Sequence, residues 1–350
     1  MTNRPSIFSL SVGELTELCK SAGDKPFRAK QILKRLYSQL ISDIDEMKEL
    51  PKKLRLELVK LVDFSLPPIV KEETTKDGQT VKIAIQFNES ELPVEAVLLL
   101  NARRRPTFCL SSQLGCVLDC SFCATASMGF IRNLTMGEMI AQVWLLRREL
   151  TKRKLNPVHN IVFMGMGEPL ANRQHLGEAL RRLHSPEFFE ISWRNMTVST
   201  AGVVEGIQWM AREFPQVNLA LSLNAASDQI RKKMMPSLAK HSLHELVSAM
   251  NGHYKKTSRR PTFEYVLLDG VNAGKKDAHQ LARLLSAVPC LVNLIPFNAD
   301  EKSTYRPPPL EAQRTFLSIL EQAGIKATLR RSPGKEIRAG CGQLATKDGP

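Results

Sequence analysis

Residues 107–123 read TFCLSSQLGCVLDCSFC, an apolar strand pattern that runs into a loop with three cysteines. Cys116, Cys120 and Cys123 follow a C-x3-C-x2-C spacing. The chain has only seven cysteines in 350 residues, so chance placement would rarely bring three of them so close together. Thiolates are soft ligands that select zinc or iron–sulfur clusters. The spacing therefore favours metal binding over simple burial of these side chains.

The number of nearby ligands separates the two metal options. A structural zinc site needs four ligands, and a cluster used only for electron transfer is usually bound by four cysteines. Here three cysteines lie together, and no histidine follows within the next thirty residues. Three ligands on a four-iron cluster leave one iron open, which is what binding and reducing S-adenosylmethionine (SAM) requires. The run therefore indicates a 4Fe-4S cluster that cleaves SAM, with a zinc site as the alternative.

Strand and helix patterns alternate after the cysteine loop. Short apolar runs predict strands at 161–164, 196–200, 217–223, 263–268 and 292–295, and segments with helical spacing lie between them. Such an alternation implies a parallel sheet with right-handed crossovers. About six such units are too few for a closed eight-stranded barrel. The sequence therefore predicts an α/β fold built on an open, partial β/α barrel.

The N-terminal part of the chain has a different pattern. Residues 11–14 fit a capping box at a helix start, and Pro51 opens a further helical segment. A second capping box, at residues 135–138, belongs to the alternating strands and helices after the cysteine loop. Strand patterns begin only after the Leu66-Pro67-Pro68 boundary. We therefore divide the chain into a small all-helical basic domain (1–66), a linker with extra β-strands (67–106) and the barrel (107–350).

The charge balance bears on partners. Lys and Arg total 49 against 35 Asp and Glu, a formal net charge of +14. A basic surface of this kind is either simply well solvated or binds a polyanion, since Lys and Arg neutralise nucleic-acid phosphates. The first residues lack a secretory apolar stretch, and no apolar run approaches the ~18 residues of a membrane span. We expect a cytoplasmic protein without a membrane partner.

A glycine-rich turn follows the strand at 161–164. In Gly165-Met166-Gly167-Glu168-Pro169, the glycines allow close backbone approach to a ligand, and Glu168 can accept a hydrogen bond from an ammonium group. Ser199 and the segment 222–224 also lie near strand ends, where the active sites of such sheets gather. An ordinary tight turn is the alternative, but its place one strand after the cysteines predicts the site for the SAM amino group.

Taken together, these segments resemble the RlmN/Cfr family of radical-SAM RNA adenine methyltransferases. The similarity runs nearly end to end. The similar segments are residues 26–32, 94–97, 108–113, 116–125, 132–135, 165–169 and 341–344.

The resemblance implies roles for individual residues. Cys116, Cys120 and Cys123 would bind the cluster. Cys341, on a C-terminal methyl-carrier loop, matches the cysteine that is itself methylated, Cys109 matches its partner thiol, and Glu95 matches the proton acceptor. The positions that match SAM contacts are Gly167, Glu168, Ser199, Ser222, Leu223, Asn224 and Asn298.

The resemblance also implies a reaction that uses two SAM molecules per turnover. One methylates the Cys341 thiolate, and the second yields a 5′-deoxyadenosyl radical that takes hydrogen from the S-methyl group. The methylene radical adds to the adenine ring, the ring proton leaves to Glu95 or a thiolate, and attack by Cys109 releases the RNA and leaves a disulfide. The implied substrate is carbon 2 of an adenosine in 23S rRNA, with tRNA as a second substrate. We expect a monomer that receives electrons from a donor such as flavodoxin or ferredoxin.

Three alternatives stay open at this point. Carbon 8 of adenine is the target in the other branch of the family; Pro169 resembles the carbon-2 type, whereas residues 171–174 are closer to the carbon-8 type. Two departures from the family pattern bear on the choice of substrate. Asn224 stands where the family often has histidine, and Arg338-Ala339-Gly340 replaces an acidic residue and two alanines. A radical-SAM enzyme with a non-RNA substrate and a zinc-bearing RNA-binding protein are the remaining alternatives.

Overall fold

The computed structural model of the protein describes residues 4–238, 240–299, 303–330 and 333–345. The strands are β1 (Ile69–Thr74), β2 (Thr80–Ile85), β3 (Val94–Leu100), β4 (Pro106–Leu110), β5 (Gln113–Gly115), β6 (Phe130–Asn133), β7 (Asn160–Phe163), β8 (Met196–Thr200), β9 (Asn218–Ser222), β10 (Thr262–Leu267), β11 (Leu291–Pro296) and β12 (Lys326–Leu329). The α-helices are α1 (Val12–Ser21), α2 (Arg28–Leu33), α3 (Lys52–Leu61), α4 (Met136–Lys152), α5 (Arg173–His184), α6 (Val204–Glu213), α7 (Asp228–Met234), α8 (Leu243–Thr257), α9 (Lys275–Leu285) and α10 (Leu310–Gln322).

One large sheet organises the molecule, with strand order β1-β2-β3-β4-β7-β8-β9-β10-β11-β12. Strands β1 to β4 pair antiparallel, whereas β4 and β7 to β12 pair parallel, with at least one helix between successive parallel strands. The α/β partial barrel with extra strands before it is therefore confirmed. Strand β12 goes beyond the prediction, because its residues are exposed or half-buried and form no apolar run.

The helix starts follow local chemistry. The N–H of Glu14 donates to Ser11 Oγ at 3.1 Å, and the N–H of Glu138 donates to Thr135 Oγ1 at 3.2 Å, so both predicted capping boxes are confirmed. A third capping box begins α8 at Ser242, which the sequence prediction did not include. No helix in the described ranges is both long and apolar enough to cross a membrane.

The N-terminal region packs on α4 and α5 through Phe8, which precedes α1, and Leu36, which follows α2. The indole Nε1 of Trp144 donates to the carbonyl oxygen of Leu36 at 2.7 Å, and the Arg182 guanidinium donates to the carbonyl oxygen of Phe8, also at 2.7 Å. The rings of Phe8 and Trp144 meet edge to face with centroids 6.0 Å apart. The buried side chains of both regions form one continuous core. The division at residue 66 stays a prediction, and the N-terminal helices share their core with the barrel.

The segment after β12 returns to the cysteine loop. The N–H of Lys76, in the β1–β2 turn, donates to Glu336 Oε1 at 2.8 Å, and the N–H of Ala124 donates to the Gly342 carbonyl oxygen at 2.8 Å. This path places Cys341 beside residues that lie far from it in the sequence.

Candidate active site

The three cysteines of the C-x3-C-x2-C run line a common recess of about 990 Å³ at the carboxyl ends of the barrel strands. The N–H of Cys116 donates to the Gly129 carbonyl oxygen at 3.0 Å. Gly115 makes this approach possible, because it has φ +73° and a Cβ there would lie 1.8 Å from that same oxygen. Burial raises the pKa of Cys116 to about 12 and raises that of Cys120 further. A cationic group in the recess would counter the cost of ionising these thiols.

The three thiols that line one recess are a donor set that fits an iron–sulfur cluster. In the described part of the chain no three His, Cys, Asp or Glu side chains converge closely enough to hold a metal ion. A single zinc ion with Zn–S bonds of ~2.3 Å needs sulfurs about 4 Å apart. A four-iron cluster takes one thiolate on each of three separate irons, so its ligands stand farther apart. Three soft thiols around one recess are therefore suited to the larger group.

The glycine turn after β7 is packed against the start of the cysteine loop. A Cβ at Gly165 would lie 2.7 Å from the carbonyl oxygen of Leu110, and one at Gly167 would lie 2.5 Å from Gln113 Cβ. Gly167 also has φ +99°, a conformation that L-residues rarely adopt. Both glycines are thus required for the close approach, which carries Glu168 into the recess.

Glu168 is buried in the wall of this recess. Its Oε1 accepts a hydrogen bond from the N–H of Leu170 at 3.0 Å, and its Oε2 accepts one from the N–H of Ala201 at 2.7 Å. Burial raises the pKa of the carboxyl to about 6, while the two backbone donors oppose the rise. Each oxygen keeps a further lone pair, so the carboxylate can accept from an ammonium group in the recess.

The serines and Asn224 line the same recess. Ser199 Oγ and Ser222 Oγ lie 3.4 Å apart. Asn224 has φ +58°, and its Oδ1 accepts from the N–H of Val266 at 3.0 Å. Both Asn and His are enriched at positive φ, which explains how either residue can occupy this position. The side chain of Leu223 is buried in the core and does not line the recess, although its N–H donates to the Glu264 carbonyl oxygen.

Cys341 reaches the recess from the C-terminal segment. Asn298 Nδ2 donates to the carbonyl oxygen of Cys341 at 3.3 Å, and Gln343 Nε2 donates to the carbonyl oxygen of Asn298 at 3.4 Å. A Cβ at Gly340 would lie 2.7 Å from Asn298 Nδ2, so glycine at this position lets the loop approach closely. Cys341 is exposed as a residue. The protein around its thiol nevertheless shields the sulfur from water, and this desolvation raises the pKa of the thiol, with the charge of Glu264 adding to the rise.

A second recess of about 940 Å³ meets the first at Cys341, and Cys109 lines only this second recess. The barrel therefore places the two thiols around one space. Burial raises the pKa of Cys109 to about 12, and the neighbouring Cys341 adds to the rise.

Comparisons with known proteins agree with this geometry. Residues 6–63 match the ribosomal RNA large subunit methyltransferase N-terminal domain, and residues 110–282 match the radical SAM superfamily. A protein of Moorella thermoacetica, named as a probable dual-specificity RNA methyltransferase RlmN, is 40% identical over 347 residues, 98% of each chain. The chain belongs to the RlmN family of radical-SAM enzymes.

Two further relatives also align with this chain over nearly their whole length. The RlmN protein of Lawsonia intracellularis, named as a dual-specificity RNA methyltransferase, is 41% identical and aligns over 92% of this chain and 91% of its own. The crystal structure of a radical SAM methyltransferase from Sphaerobacter thermophilus superposes with a TM-score of 0.94 at 41% identity, covering 98% of this chain and 100% of that one. The RlmN-family architecture thus spans nearly the whole chain.

The remaining residue implied by the resemblance to this family, Glu95, lies on β3 outside both recesses. Its Oε1 is 2.9 Å from Lys82 Nζ, and both side chains are buried. Burial raises the pKa of the Glu95 carboxyl, and Lys82 opposes the rise. Residue 97, two positions further along the same strand, pairs with Cys109, so Glu95 and Cys109 share one face of the sheet.

The sequence prediction missed two charged side chains at this site. Arg231 is buried and donates to the carbonyl oxygens of Leu223 and Ala201, joining the ends of β8 and β9. Glu264 is buried on β10 and faces both recesses. A charged residue inside an apolar strand pattern was the available signal for Glu264. Arg231 sits in a run of exposed basic residues and gave none.

Proposed function

We propose that this RlmN-family enzyme is an RNA methyltransferase that transfers a methyl-derived carbon to carbon 2 of an adenosine in 23S rRNA, with tRNA as a second substrate. The observation that carries the proposal is the position of Cys341. It lies where the recess of the three cysteines meets the recess of Cys109. The names of the relatives, which describe dual-specificity RNA methyltransferases, support the substrate class.

The residues of the first recess are suited to hold the cofactors. Cys116, Cys120 and Cys123 would bind a 4Fe-4S cluster, and Glu168 would accept from the SAM ammonium group. Ser199, Ser222, Asn224 and Asn298 surround the same space, and Leu223 lies between two of them in the chain. When bound, the cluster and SAM supply the radical and the methyl group. A donor such as flavodoxin or ferredoxin would supply the electron.

The two thiols then act in sequence. The Cys341 thiol gives up its proton and carries the methyl group on sulfur, within reach of both recesses. Once the carbon is joined to the base, the Cys109 sulfur attacks the Cys341 sulfur. The sulfur–carbon bond breaks, its electron pair goes to the carbon, and the carbon takes up the proton that the Cys109 thiol gives up, so that the methylated base leaves. The disulfide that forms is converted back to two thiols by two electrons and two protons.

Glu95 is proposed as the acceptor of the ring proton. Its buried carboxyl has a raised pKa, so it is a better base than an exposed glutamate once ionised. Lys82 stabilises the ionised form at 2.9 Å. Because Glu95 lies outside both recesses, the base must approach β3 for direct transfer, or a water must carry the proton.

The basic surface supplies RNA affinity in this proposal. Exposed basic side chains cluster at Lys52 and Lys53 on α3 and at residues 103–105 before β4. They would bind RNA phosphates. Since α1 to α3 share the barrel core, deletion of residues 1–66 would expose apolar surface. Charge substitutions such as Lys52→Glu with Lys53→Glu test the role without that damage, and unchanged RNA affinity would contradict it.

The deciding experiment is the Cys109→Ala variant, incubated with SAM, reductant and fragments of 23S rRNA or tRNA. We expect mass spectrometry to find RNA joined to Cys341, with the linked nucleotide and ring position identifiable after digestion. Attachment through carbon 8 would replace the carbon-2 proposal. The same adduct from a Cys341→Ala variant would refute the role of Cys341, and absence of any RNA product from the unmodified enzyme would refute the substrate class.

A further inference from the structure

The second recess lies on the far side of Cys341 from the cluster cysteines. Cys116, Cys120 and Cys123 line only the first recess, Cys109 lines only the second, and Cys341 lines both. The second recess is the space beside Cys341 that lies outside the recess of the three cysteines.

One carboxylate of this recess has an unused acceptor. Glu264 is only 6% exposed, and its Oε2 has no hydrogen-bond partner among the described residues. Its other oxygen, Oε1, accepts from Asn293 Nδ2 at 2.8 Å. Asn293 is oriented in turn, because its Oδ1 accepts from Thr328 Oγ1 at 2.8 Å. The network fixes which oxygen faces Asn293 and leaves Oε2 as a buried acceptor.

The lining of the recess also includes polar side chains and one cation. Thr107, Thr197 and Thr262 stand at the amino ends of β4, β8 and β10 and are partly exposed. Arg330, directly after β12, is exposed, and its guanidinium has no hydrogen bond or ion pair with the described residues, although it lies near Glu264. A buried acceptor and an exposed cation in one lining match a nucleotide whose base donates and whose phosphate is anionic.

Resting on the proposed function, we propose that the second recess holds the target adenine, that Glu264 Oε2 accepts from its exocyclic amino group, and that Arg330 binds an adjoining phosphate. Glu264 is then a specificity residue for a 6-amino purine. A 6-oxo purine would place an acceptor against an acceptor.

The network makes the Glu264→Gln variant a sharp test. Asn293 Nδ2 needs an acceptor, so the glutamine oxygen stays against it and the glutamine NH2 takes the place of Oε2. A donor then stands where an acceptor stood. The variant should prefer a 6-oxo purine, in a side chain of nearly unchanged shape.

The first readout uses mononucleotides and does not depend on RNA methylation. Reconstituted enzyme saturated with SAM, without reductant, is treated with a small thiol-alkylating reagent, and modification of Cys109 is followed by mass spectrometry. We expect AMP to protect Cys109 at a concentration about 10-fold or more below the IMP concentration that gives the same protection. This is the usual scale for one charged hydrogen bond. Glu264→Gln should reverse this order. Arg330→Gln should weaken protection by both nucleotides, whereas Lys326→Gln, which removes a charge from the same edge strand, should not.

The second readout uses RNA with adenosine, purine riboside or inosine at the methylated position. For the unmodified enzyme, kcat/KM should be about 10- to 100-fold lower on purine riboside, which lacks the amino group, than on adenosine. On purine riboside, the kcat/KM of Glu264→Gln should be close to that of the unmodified enzyme.

The outcomes separate the two proposals. Equal amino-group preference in the unmodified enzyme and in Glu264→Gln, by either readout, overturns the adenine pocket while RNA methylation stands. A loss of SAM cleavage in Glu264→Gln without RNA also overturns it, because Glu264 would then serve the first recess. Amino-dependent protection of Cys109 that Glu264→Gln reverses, in an enzyme that methylates no RNA, supports the pocket and refutes the proposed function.

Discussion

The side-chain Nδ2 of Asn298 donates a hydrogen bond of 3.3 Å to the backbone carbonyl oxygen of Cys341. This contact joins the end of β11 to the C-terminal segment and holds the thiol where the two recesses meet. Because the carbonyl oxygen of Asn298 accepts in turn from Gln343 Nε2, the loop is held at Cys341 and again two residues after it.

Replacing this donor should loosen the loop. In Asn298→Asp an oxygen replaces Nδ2 and faces the Cys341 carbonyl, so the hydrogen bond becomes a repulsion. We expect the fraction of Cys341 that carries a methyl group in purified enzyme to fall about 3- to 10-fold, as for the loss of one hydrogen bond. Mass spectrometry of the Cys341 peptide measures it. SAM affinity must be measured in parallel, and full methylation at normal affinity would show that the contact does not position the thiol.

Substituting Gly167 should damage the turn that carries Glu168. Gly167→Ala places a methyl group 2.5 Å from Gln113 Cβ at φ +99°. The backbone strain alone costs about 1–3 kcal/mol. Thermal unfolding and SAM binding should both weaken. Gly252→Ala is the matched control: this glycine lies within α8 with no atom within 4 Å of a Cβ, so alanine should stabilise by about 0.5–1 kcal/mol. Equal effects of the two substitutions would contradict the packing argument.

Trp144→Phe tests the attachment of the N-terminal helices. The substitution keeps an aromatic ring but removes the Nε1 donor and leaves the Leu36 carbonyl oxygen without that partner. We expect the free energy of unfolding to fall by about 1–3 kcal/mol. Hydrogen exchange should show faster opening of the segment after α2 that contains Leu36, together with α4. A change confined to α4 would mean that the two regions unfold independently despite their common core.

His253 should make stability fall in acid. This side chain is 2% exposed, and burial lowers its pKa to about 4, with Arg259 contributing. Unfolding restores an ordinary pKa near 6.5, so between about pH 6.5 and pH 4 the unfolded chain binds a proton that the folded chain does not. Stability is therefore fully present above pH 6.5 and is lost as the pH falls, by up to about 3 kcal/mol.

Urea unfolding from pH 7 to pH 4.5 measures this loss. A His253→Leu variant should show a flatter profile over that range, because leucine cannot be protonated. The exposed His279, substituted by Asn, provides the control and should keep the slope of the unmodified protein. An unchanged slope in His253→Leu would place the acid sensitivity elsewhere.

Local sequence determined a large part of this protein. The cysteine spacing, the capping boxes at Ser11 and Thr135, and the glycine turn depend on neighbours within a few residues, so their chemistry can be recognised without the fold. The alternation of apolar strands and helices likewise predicts a parallel sheet, because each strand needs an apolar pattern to be buried. The sequence pattern did not predict strand β12, because this strand lies at the edge of the sheet, where its exposed residues need not be apolar.

Only the tertiary structure decided which distant groups share a space. Cys109 and Cys341 look unremarkable in the sequence, and the resemblance alone suggested their pairing. Their common recess depends on strand register and on the return of the chain after β12. The free oxygen of Glu264 is likewise invisible in the sequence, because it exists only once Asn293 and Thr328 are aligned on neighbouring strands. Such contacts arise from packing between segments far apart in the chain, and no local pattern encodes them.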